Sequence, residues 1–481
     1  MKKIRAFSMM LAAILAVSLA ACGGDAPAAD TTTGDAPATN TAALESTALT
    51  SGLPEQDFGG FEFRVLHDVK GWGTYSQEAL DFESETGDVL TDALFRRNRK
   101  VEEAYNFVFK EIISTNVQSD LTTSIMAGDD DYDVGMIIYG WAAGTDLLMD
   151  FNEVEHIDLS KPWWDQNAVE QLTVGGKLTN ALSDLMITHR DGTVALLFNK
   201  KMADEYMLGD LYELVRSGKW TQDKFLEAAR LVTADLDANG SFDDTDQFGY
   251  CGVLGNTLLY NVMAAGIRLT ENDDEGMPVF TMGDERSVDR IAAAVDILRK
   301  EKILYCPNFG MNTGTDGDQS IFRVFSENRA LFMSHGIGSA NRLRSMETDF
   351  GVLPAPKYDE SQENYYNISD AGKYLVIPKT APDAARTGFI LEALAYQGYV
   401  SVVPSYYETM LKNKLMRDEE SIEMLDEYIF PNVVQKGFFY APVKSMIDSI
   451  TDSSEIASTI ASCKESINAE IQQILESMLG E

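Results

Sequence analysis

The sequence predicts an α/β protein whose helices cover largely parallel sheets. Predicted strands alternate with helices along most of the chain, and several strands are apolar throughout, which is typical of sheets buried on both faces. The chain has 481 residues, of which 45% are hydrophobic, so it is long enough for more than one lobe and can bury a large core. The expected architecture is a globular body of two or more α/β lobes.

Residues 1–22 have the pattern of a secretory signal. Basic residues precede an apolar run, residues 7–20, that is too short for a membrane-spanning helix and ends at small residues. Cys22 follows directly, where a bacterial lipobox has its cysteine. This resemblance implies that Cys22 becomes the mature N-terminus and carries lipid. The alternative is an ordinary signal peptide with an incidental cysteine.

Residues 23–57 contain no lysine, arginine or aromatic residue and are rich in Ala, Thr, Gly, Pro and Ser. Such a segment cannot form a core, and it predicts a flexible tether with a reach of roughly 30 Å. The folded body is expected to begin at Phe58.

The first part of this body alternates strands and helices. The predicted elements are a strand at 61–67, a helix from Asp88, a strand at 107–112, a helix containing 120–127 and a strand at 133–139. Trp72 and Trp141 each follow the end of a strand. Because ligands of parallel sheets bind beyond the carboxyl ends of the strands, both tryptophans are candidate ligand residues.

The same alternation continues to about residue 380. The predicted elements are strands at 193–198, 330–333, 350–353 and 373–377, a helix capped by Thr221 and a helix at 285–302. His335 lies just after the predicted strand at 330–333, and Asp370 lies in a polar turn before the strand at 373–377. From Pro382 onward the chain is predicted to be mostly helical.

The segment 235–246 matches the loop of a calcium-binding EF-hand. Side-chain oxygens stand at positions one, three, five and twelve, the backbone carbonyl of Ser241 stands at position seven, and Gly240 permits the sharp turn. The predicted ligands are Asp235, Asp237, Asn239, Ser241 and Asp246. Position twelve is Asp instead of the usual Glu, and an acidic turn that binds nothing is the alternative.

Charge and cysteine content exclude several classes of protein. Lys+Arg total 39 against 76 Asp+Glu, and a net charge of −37 disfavours nucleic acid, anionic lipid surfaces and anionic ligands, unless a local basic pocket intervenes. Beyond Cys22 the cysteines are Cys251, Cys306 and Cys463, with no metal-binding spacing. We expect small buried side chains; a bridge between Cys251 and Cys306 has no support in the spacing.

The sequence contains no recognisable catalytic constellation. It lacks the zinc-protease, nucleophile-elbow, P-loop and dinucleotide-binding motifs, and its four histidines are scattered. What it offers is aromatic and polar side chains beyond strand ends, which suit the apolar faces and hydroxyl groups of a neutral sugar. We expect Trp72 and Trp141 to stack on sugar rings, and His335 and Asp370 to hydrogen-bond hydroxyl groups. Ordinary packing or capping roles are the alternatives.

Five segments occur in an ordered series behind the lipobox. They are DYDVGMI (131–137), ALLFNKKM (195–202), GKWTQDKFLEAA (218–229), DLDANGSFDDTDQFGY (235–250) and FGVLPAPKYDESQ (350–362). Together they resemble the extracellular solute-binding lipoproteins of ABC importers, family 1, the carbohydrate type. The resemblance implies a two-lobed periplasmic-binding-protein-like fold of type II, in which hinge-connected lobes close on a ligand in the cleft between them.

The resemblance also implies an order of domains. The signal at 1–22 and the tether at 23–57 precede a first lobe at 58–190, a second lobe at 191–348 that holds the calcium-type loop, a return segment of the first lobe at 349–396, and a mostly helical part, 397–481, largely in the second lobe.

The implied function is that of a binding protein, not an enzyme. A lipid-anchored monomer on the extracellular face of the cell membrane would capture a carbohydrate, an oligosaccharide above all, and deliver it intact to the transmembrane subunits of an ABC permease. A secreted glycan-active hydrolase and a calcium-dependent surface adhesin are the alternatives.

Overall fold

A computed structural model describes residues 49–68, 79–138, 147–252, 254–306, 318–369, 372–412, 418–435 and 440–479. The chain divides into two compact units, Met1–Gly52 and Leu53–Glu481, and all of the elements below lie in the second unit. No helix in the described ranges is both long enough and apolar enough to cross a bilayer.

The strands alternate with helices, as predicted. The strands are β1 Phe61–His67, β2 Phe107–Ile113, β3 Val134–Ile138, β4 Val194–Asn199, β5 Phe248–Gly252, β6 Glu271–Asn272, β7 Pro278–Val279, β8 Leu304–Tyr305, β9 Ala330–Gly336, β10 Phe350–Leu353, β11 Asn367–Ile368, β12 Lys373–Val376 and β13 Val433–Val434. The helices are α1 Val89–Tyr105, α2 Val117–Ala127, α3 Gln166–Leu172, α4 Thr188–Asp191, α5 Lys200–Glu205, α6 Leu211–Arg216, α7 Gln222–Val232, α8 Leu254–Ala264, α9 Glu285–Arg299, α10 Asp318–Ser326, α11 Ala384–Gln397, α12 Val403–Lys412, α13 Glu419–Glu423, α14 Tyr440–Ser449 and α15 Ile456–Leu479.

Two helix starts follow directly from the sequence. The side chain of Asp88 accepts a hydrogen bond from the backbone N–H of Thr91 and so caps α1. Thr221 caps α7 in the same way, through the backbone N–H of Lys224. Both predicted caps are confirmed.

The first sheet is four-stranded, in the order β12-β3-β1-β2. β1 pairs in parallel with β2 and β3, whereas β12 pairs with β3 in the antiparallel sense. Phe63, Val65 and Leu66 of β1 are fully buried, which agrees with the central place of this strand in a sheet covered by helices. We call this sheet and its helices the first lobe.

The second sheet is five-stranded, in the order β10-β4-β9-β5-β8. β5 pairs in parallel with β8 and β9, and β4 is antiparallel to both of its neighbours, β9 and β10. The antiparallel strand β12 is the first strand of the first sheet after the chain returns from the second sheet. Likewise, β4 is the first strand of the second sheet after the chain leaves the first sheet. We call the second sheet and its helices the second lobe.

The chain leaves the first lobe between Ala181, which bridges to Leu375 of β12, and the start of β4. The returning chain runs beside it, because Thr193 bridges to Ser369. β11, on this returning segment, pairs in parallel with β13, and the N–H of Ser369 donates to the carbonyl oxygen of Val434 at 3.2 Å. The connections between the lobes are thus hydrogen-bonded to one another.

The return to the first lobe lies later than the sequence prediction placed it. The predicted boundary was residue 349, but β10 still pairs with β4 in the second sheet, and β12 is the strand that rejoins the first. The crossing therefore falls between Leu353 and Lys373. An apolar strand pattern identifies residues 350–353 as a strand but carries no information on its partner.

The C-terminal boundary also differs from the prediction. α11, α12 and the π-helical turn Gly398–Val402 between them pack on α1 of the first lobe. Beyond them, Asp418 contacts Lys200 and Tyr212, and α14 and α15 pack against α8 and α9 of the second lobe. The boundary expected at residue 397 therefore lies after α12.

Candidate functional site

The second sheet presents one edge at which several strands end together. Because β9 and β5 are parallel and β4 is antiparallel to β9, the carboxyl ends of β9 and β5 meet the amino end of β4. A cavity of about 30 Å³ opens at this edge. Its lining residues are Val194, Ala195, Leu196, Phe225, Tyr250, Tyr260, Asn261, Ser334, Ala355 and Pro356.

The cavity combines aromatic walls with a few polar groups. The Tyr250 hydroxyl donates a hydrogen bond of 2.7 Å to Ser334 Oγ, and the Asn261 amide donates to the carbonyl oxygen of Thr257 at 2.7 Å. Burial raises the pKa of Tyr250 to about 12, although hydrogen bonds with Ser334 and Asn261 oppose this rise, so the phenol is neutral at physiological pH. Neutral hydroxyl and amide groups beside aromatic rings suit an uncharged polyol.

The size of the cavity limits what it can hold. A space of 30 Å³ has room for one or two water molecules and not for a sugar ring.

The corresponding edge of the first sheet is charged. It is formed by the carboxyl ends of β1 and β2 and the amino end of β12. His67 Nε2 lies 2.5 Å from Glu111 Oε1, and the backbone N–H of Leu80 donates to the same oxygen at 2.8 Å. Burial alone would raise the pKa of Glu111, but these hydrogen bonds outweigh it, and the pKa is lowered. Glu111 is therefore ionised and fixed in position.

An ion pair completes this charged edge. Lys373 Nζ lies 3.1 Å from Asp68 Oδ1 and also donates to the Asp68 carbonyl oxygen. The side chain of Lys373 is 6% exposed and that of Asp68 is 17% exposed. These groups can bind the hydroxyl groups of a ligand through charge-assisted hydrogen bonds.

The sequence-predicted ligand residues fall mostly outside the described ranges. Trp72, Trp141, Asp370 and the lipidation residue Cys22 lie outside them, and their roles stay predictions. His335 is described: it lies on β9 next to Ser334, but it does not line the cavity. Its ring packs on Phe322 at a centroid distance of 5.0 Å, because successive side chains of a strand point to opposite faces.

The structure brings three of the five predicted calcium ligands together. Oxygen atoms of Asp235, Asp237 and Asp246 all lie within 4.8 Å of one another. Asp235 accepts from the N–H of Gly240 at 2.8 Å, and this hydrogen bond lowers the pKa of Asp235. Gly240 has φ +83°, the left-handed conformation that the sharp turn requires.

The remaining loop residues hold the turn in place. Asn239 Oδ1 accepts from the N–H of Ser241 at 2.7 Å, and the two carboxylate oxygens of Asp246 accept from Leu236 and Asp243. Asp235 Oδ1 is buried and has no hydrogen-bond partner among the described residues. The donor set of carboxylate and amide oxygens fits a hard cation such as Ca²⁺.

Sequence reasoning missed the cavity residues of the second lobe. Tyr260 and Asn261 lie within α8, where nothing in the local pattern distinguishes them from packing residues. Ala355 and Pro356 offered a usable signal, because they lie two and three residues beyond the end of the apolar strand β10. A systematic search beyond the end of every strand would have included them.

Solved structures of sugar-binding proteins of ABC transporters share this fold. An ABC transporter solute-binding protein from Thermotoga lettingae, bound with alpha-D-tagatose, is 15% identical with a TM-score of 0.53, over 86% of this chain and 100% of that one. A cyclo/maltodextrin-binding protein complexed with maltotetraose is 14% identical with a TM-score of 0.51, over 87% and 97% of the two chains. An ABC substrate-binding protein from Listeria monocytogenes in complex with cycloalternan is 12% identical with a TM-score of 0.50, over 88% and 99%.

These similarities establish the fold. The body of the chain has the two-lobed, type II periplasmic-binding-protein-like architecture, and the predicted fold class is confirmed. No protein-family model and no curated protein matches the sequence.

Proposed function

We propose that the protein is the substrate-binding component of an ABC importer and that it captures a carbohydrate between its two lobes. One observation carries the proposal: the two-lobed fold is shared, over 86–88% of the chain, with proteins whose solved structures hold tagatose, maltotetraose or cycloalternan. No bond of the ligand is made or broken in this function.

The two lobes would divide the work of recognition. The apolar face of a sugar would lie against the mouth of the aromatic cavity of the second lobe, which Tyr260 and Tyr250 line. The charged edge of the first lobe, with Glu111 and Lys373, would bind hydroxyl groups. Closure of the lobes about the hinge would then exclude water from the ligand.

We also propose the cellular setting that the sequence predicts. Cys22 would anchor the protein by lipid to the extracellular face of the membrane, and the partners would be the transmembrane subunits of a permease. The folded body would act as a monomer.

The loop 235–246 would hold a structural calcium ion. Asp235, Asp237, Asn239, Asp246 and the carbonyl oxygen of Ser241 would be its ligands. The loop joins α7 to β5, and Arg329 of the second lobe donates to the carbonyl oxygens of Asp244 and Asp246. The ion would therefore stabilise the second lobe and take no part in ligand capture.

Titration calorimetry with a panel of oligosaccharides, beginning with maltotetraose, tests the proposal. We expect at least one sugar to bind, and Tyr260→Ala to weaken its binding about tenfold or more, because truncation of an aromatic wall removes stacking and leaves a void. Tyr132→Ala is the matched control, since Tyr132 precedes β3 at the opposite edge of the first sheet and should leave the affinity unchanged.

Two results would contradict the proposal. Binding of peptides or amino acids with no heat from any sugar would refute the ligand class. Release of shorter glycans by the purified protein would instead support a hydrolase.

A further inference from the structure

Three arginines gather beside the end of α8 in the second lobe. Arg268 follows the helix by four residues, and Arg286 and Arg290 lie in the first two turns of α9. We call these three side chains the arginine cluster. Such a concentration of positive charge is notable in a chain with 76 Asp+Glu against 39 Lys+Arg.

Two members of the cluster are held by the end of α8. Arg290 Nη1 donates to the carbonyl oxygen of Ala265, and Arg286 Nη2 donates to that of Gly266 at 3.3 Å. Cations at a helix C-terminus are favourable, because they satisfy carbonyl groups and meet the negative end of the helix dipole. These contacts use one N–H group of each guanidinium and leave further donors in a fixed orientation.

Arg268 has no such role. Its guanidinium stacks on the ring of Tyr366 at 3.9 Å, and its Nη1 atom is buried without a hydrogen-bond partner in the described part of the chain. A buried donor that makes no hydrogen bond is costly. Solvent or a ligand can supply the missing acceptor.

No described carboxylate forms a salt bridge with any of the three arginines. Glu271 and Asp359 act on them only through longer-range attraction, while Arg286 repels both of the others. Burial first, and then this repulsion by Arg286, lowers the pKa of Arg290. The cluster therefore has unneutralised positive charge and an exposed member, Arg286.

The cluster lies close to the cavity of the second lobe. Asn261 lines that cavity, and its carbonyl oxygen accepts from the N–H of Ala265, the residue whose own carbonyl receives Arg290. One turn of α8 thus separates the cavity wall from the arginines. Tyr366, under Arg268, directly precedes β11 at the hinge.

We propose that the arginine cluster binds an oxyanion, a carboxylate or sulfate group, carried either by an acidic sugar that lies against the mouth of the adjoining cavity or by a free inorganic anion. Planar guanidinium groups match the oxygens of both anions, and their fixed donors favour bidentate hydrogen bonds. The acidic-sugar form rests on the proposed function and makes the ligand a charged oligosaccharide; the free-anion form is independent of it.

Calorimetry on the full-length protein with three probes tests this inference. The probes are a galacturonic acid tetramer, maltotetraose as its neutral counterpart, and sodium sulfate. We expect the acidic tetramer or sulfate to bind, with an affinity that falls as sodium chloride is raised, because salt screens the attraction between charges. Arg268→Gln and Arg286→Gln should each weaken this binding about tenfold or more.

Arg344→Gln is the matched control, because Arg344 is an exposed arginine of the same lobe that lies outside the cluster. It should bind the charged probes like the unaltered protein. Thermal melting of each variant shows whether it is folded, and the exposed position of Arg286 keeps the test valid if Arg268→Gln does not fold.

The outcomes separate the inference from the proposed function. Binding of the acidic tetramer but not of sulfate identifies an acidic sugar, and binding of sulfate alone identifies a free anion; both support the site. Binding of neutral sugars with no response to either charged probe overturns the inference and leaves the proposed function intact. Charged probes that bind both variants like the unaltered protein overturn it as well.

Discussion

Glu392 shows how one buried carboxylate joins distant parts of the chain. It lies on α11 and accepts hydrogen bonds from the indole N–H groups of Trp163 and Trp164 at 2.9 and 2.8 Å. The residue is 1% exposed. Burial raises its pKa to about 7 from an ordinary value of 4.5, and the hydrogen bonds with the tryptophans and with Asp158 oppose that rise only in part.

This pKa predicts a pH-dependent stability. The folded protein holds the proton more tightly than the unfolded chain, so the contribution is fully present below about pH 4.5 and is lost as the pH rises through about 7. The loss is at most about 3 kcal/mol. The side chain of the Glu392→Gln variant cannot ionise, so the variant does not lose this contribution as the pH rises. The free energy of unfolding of the variant, minus that of the unaltered protein, should therefore increase with pH. Urea titration at several pH values measures both free energies.

Glu465→Gln, on the exposed side of α15, is the control for the general effect of removing one negative charge. Its difference from the unaltered protein should stay nearly constant with pH. A Glu392→Gln variant whose difference is equally constant would show that folding does not raise the pKa of Glu392.

Residue contacts of this kind could not be predicted from the sequence. The pair Trp163 and Trp164 stands out as aromatic, but its partner lies 228 residues or more away along the chain. His335 illustrates the same limit: its place near a strand end was predictable, but its packing on Phe322 follows from how β9 and α10 meet.

The calcium-type loop is an element that the sequence described well. The hydrogen bonds that form its turn join residues only two to five positions apart, through the side chains of Asp235 and Asn239. The local sequence pattern is therefore enough to predict the turn. Its occupancy is a separate question, because clustered carboxylates repel one another until a cation binds.

We expect Asp235→Ala to lower the melting temperature only when calcium is present. A calcium ion bound in the loop would stabilise the folded state, and loss of a ligand would remove that stabilisation. Thermal melting with calcium and with chelator measures the difference. Asp274→Ala, in the exposed turn between β6 and β7, is the control, and an equal loss for Asp235→Ala in chelator would count against the site.

The longer elements were predictable and the shortest were not. Strands such as β1 and β4 carry a clear apolar pattern over 7 and 6 residues. β11 and β13 have 2 residues each, too few for any periodicity, although they pair with each other at the hinge. Strand order is likewise absent from local patterns, which explains the misplaced boundary at β10.

At the scale of the whole molecule, the proposed lipid on Cys22 would hold the folded body near the membrane. We expect Cys22→Ser to move the protein from the detergent phase to the aqueous phase of a detergent partition of whole cells, because the proposed acyl chains would be its anchor. Cys463→Ser should leave the partition unchanged, since Cys463 lies on α15 of the folded body. A Cys22→Ser protein that stays in the detergent phase would refute lipidation at this residue.

The pairing of the interlobe segments restricts how the lobes can move relative to each other. Thr193 is tied to Ser369, and Ser369 to Val434, so a bend in one segment must be shared by its neighbours. We expect the lobes to rotate about one common axis, with twisting in other directions resisted by these hydrogen bonds. Ligands of different length would then produce closed forms that differ only in the angle of this rotation. A transport partner would distinguish these forms by that one angle.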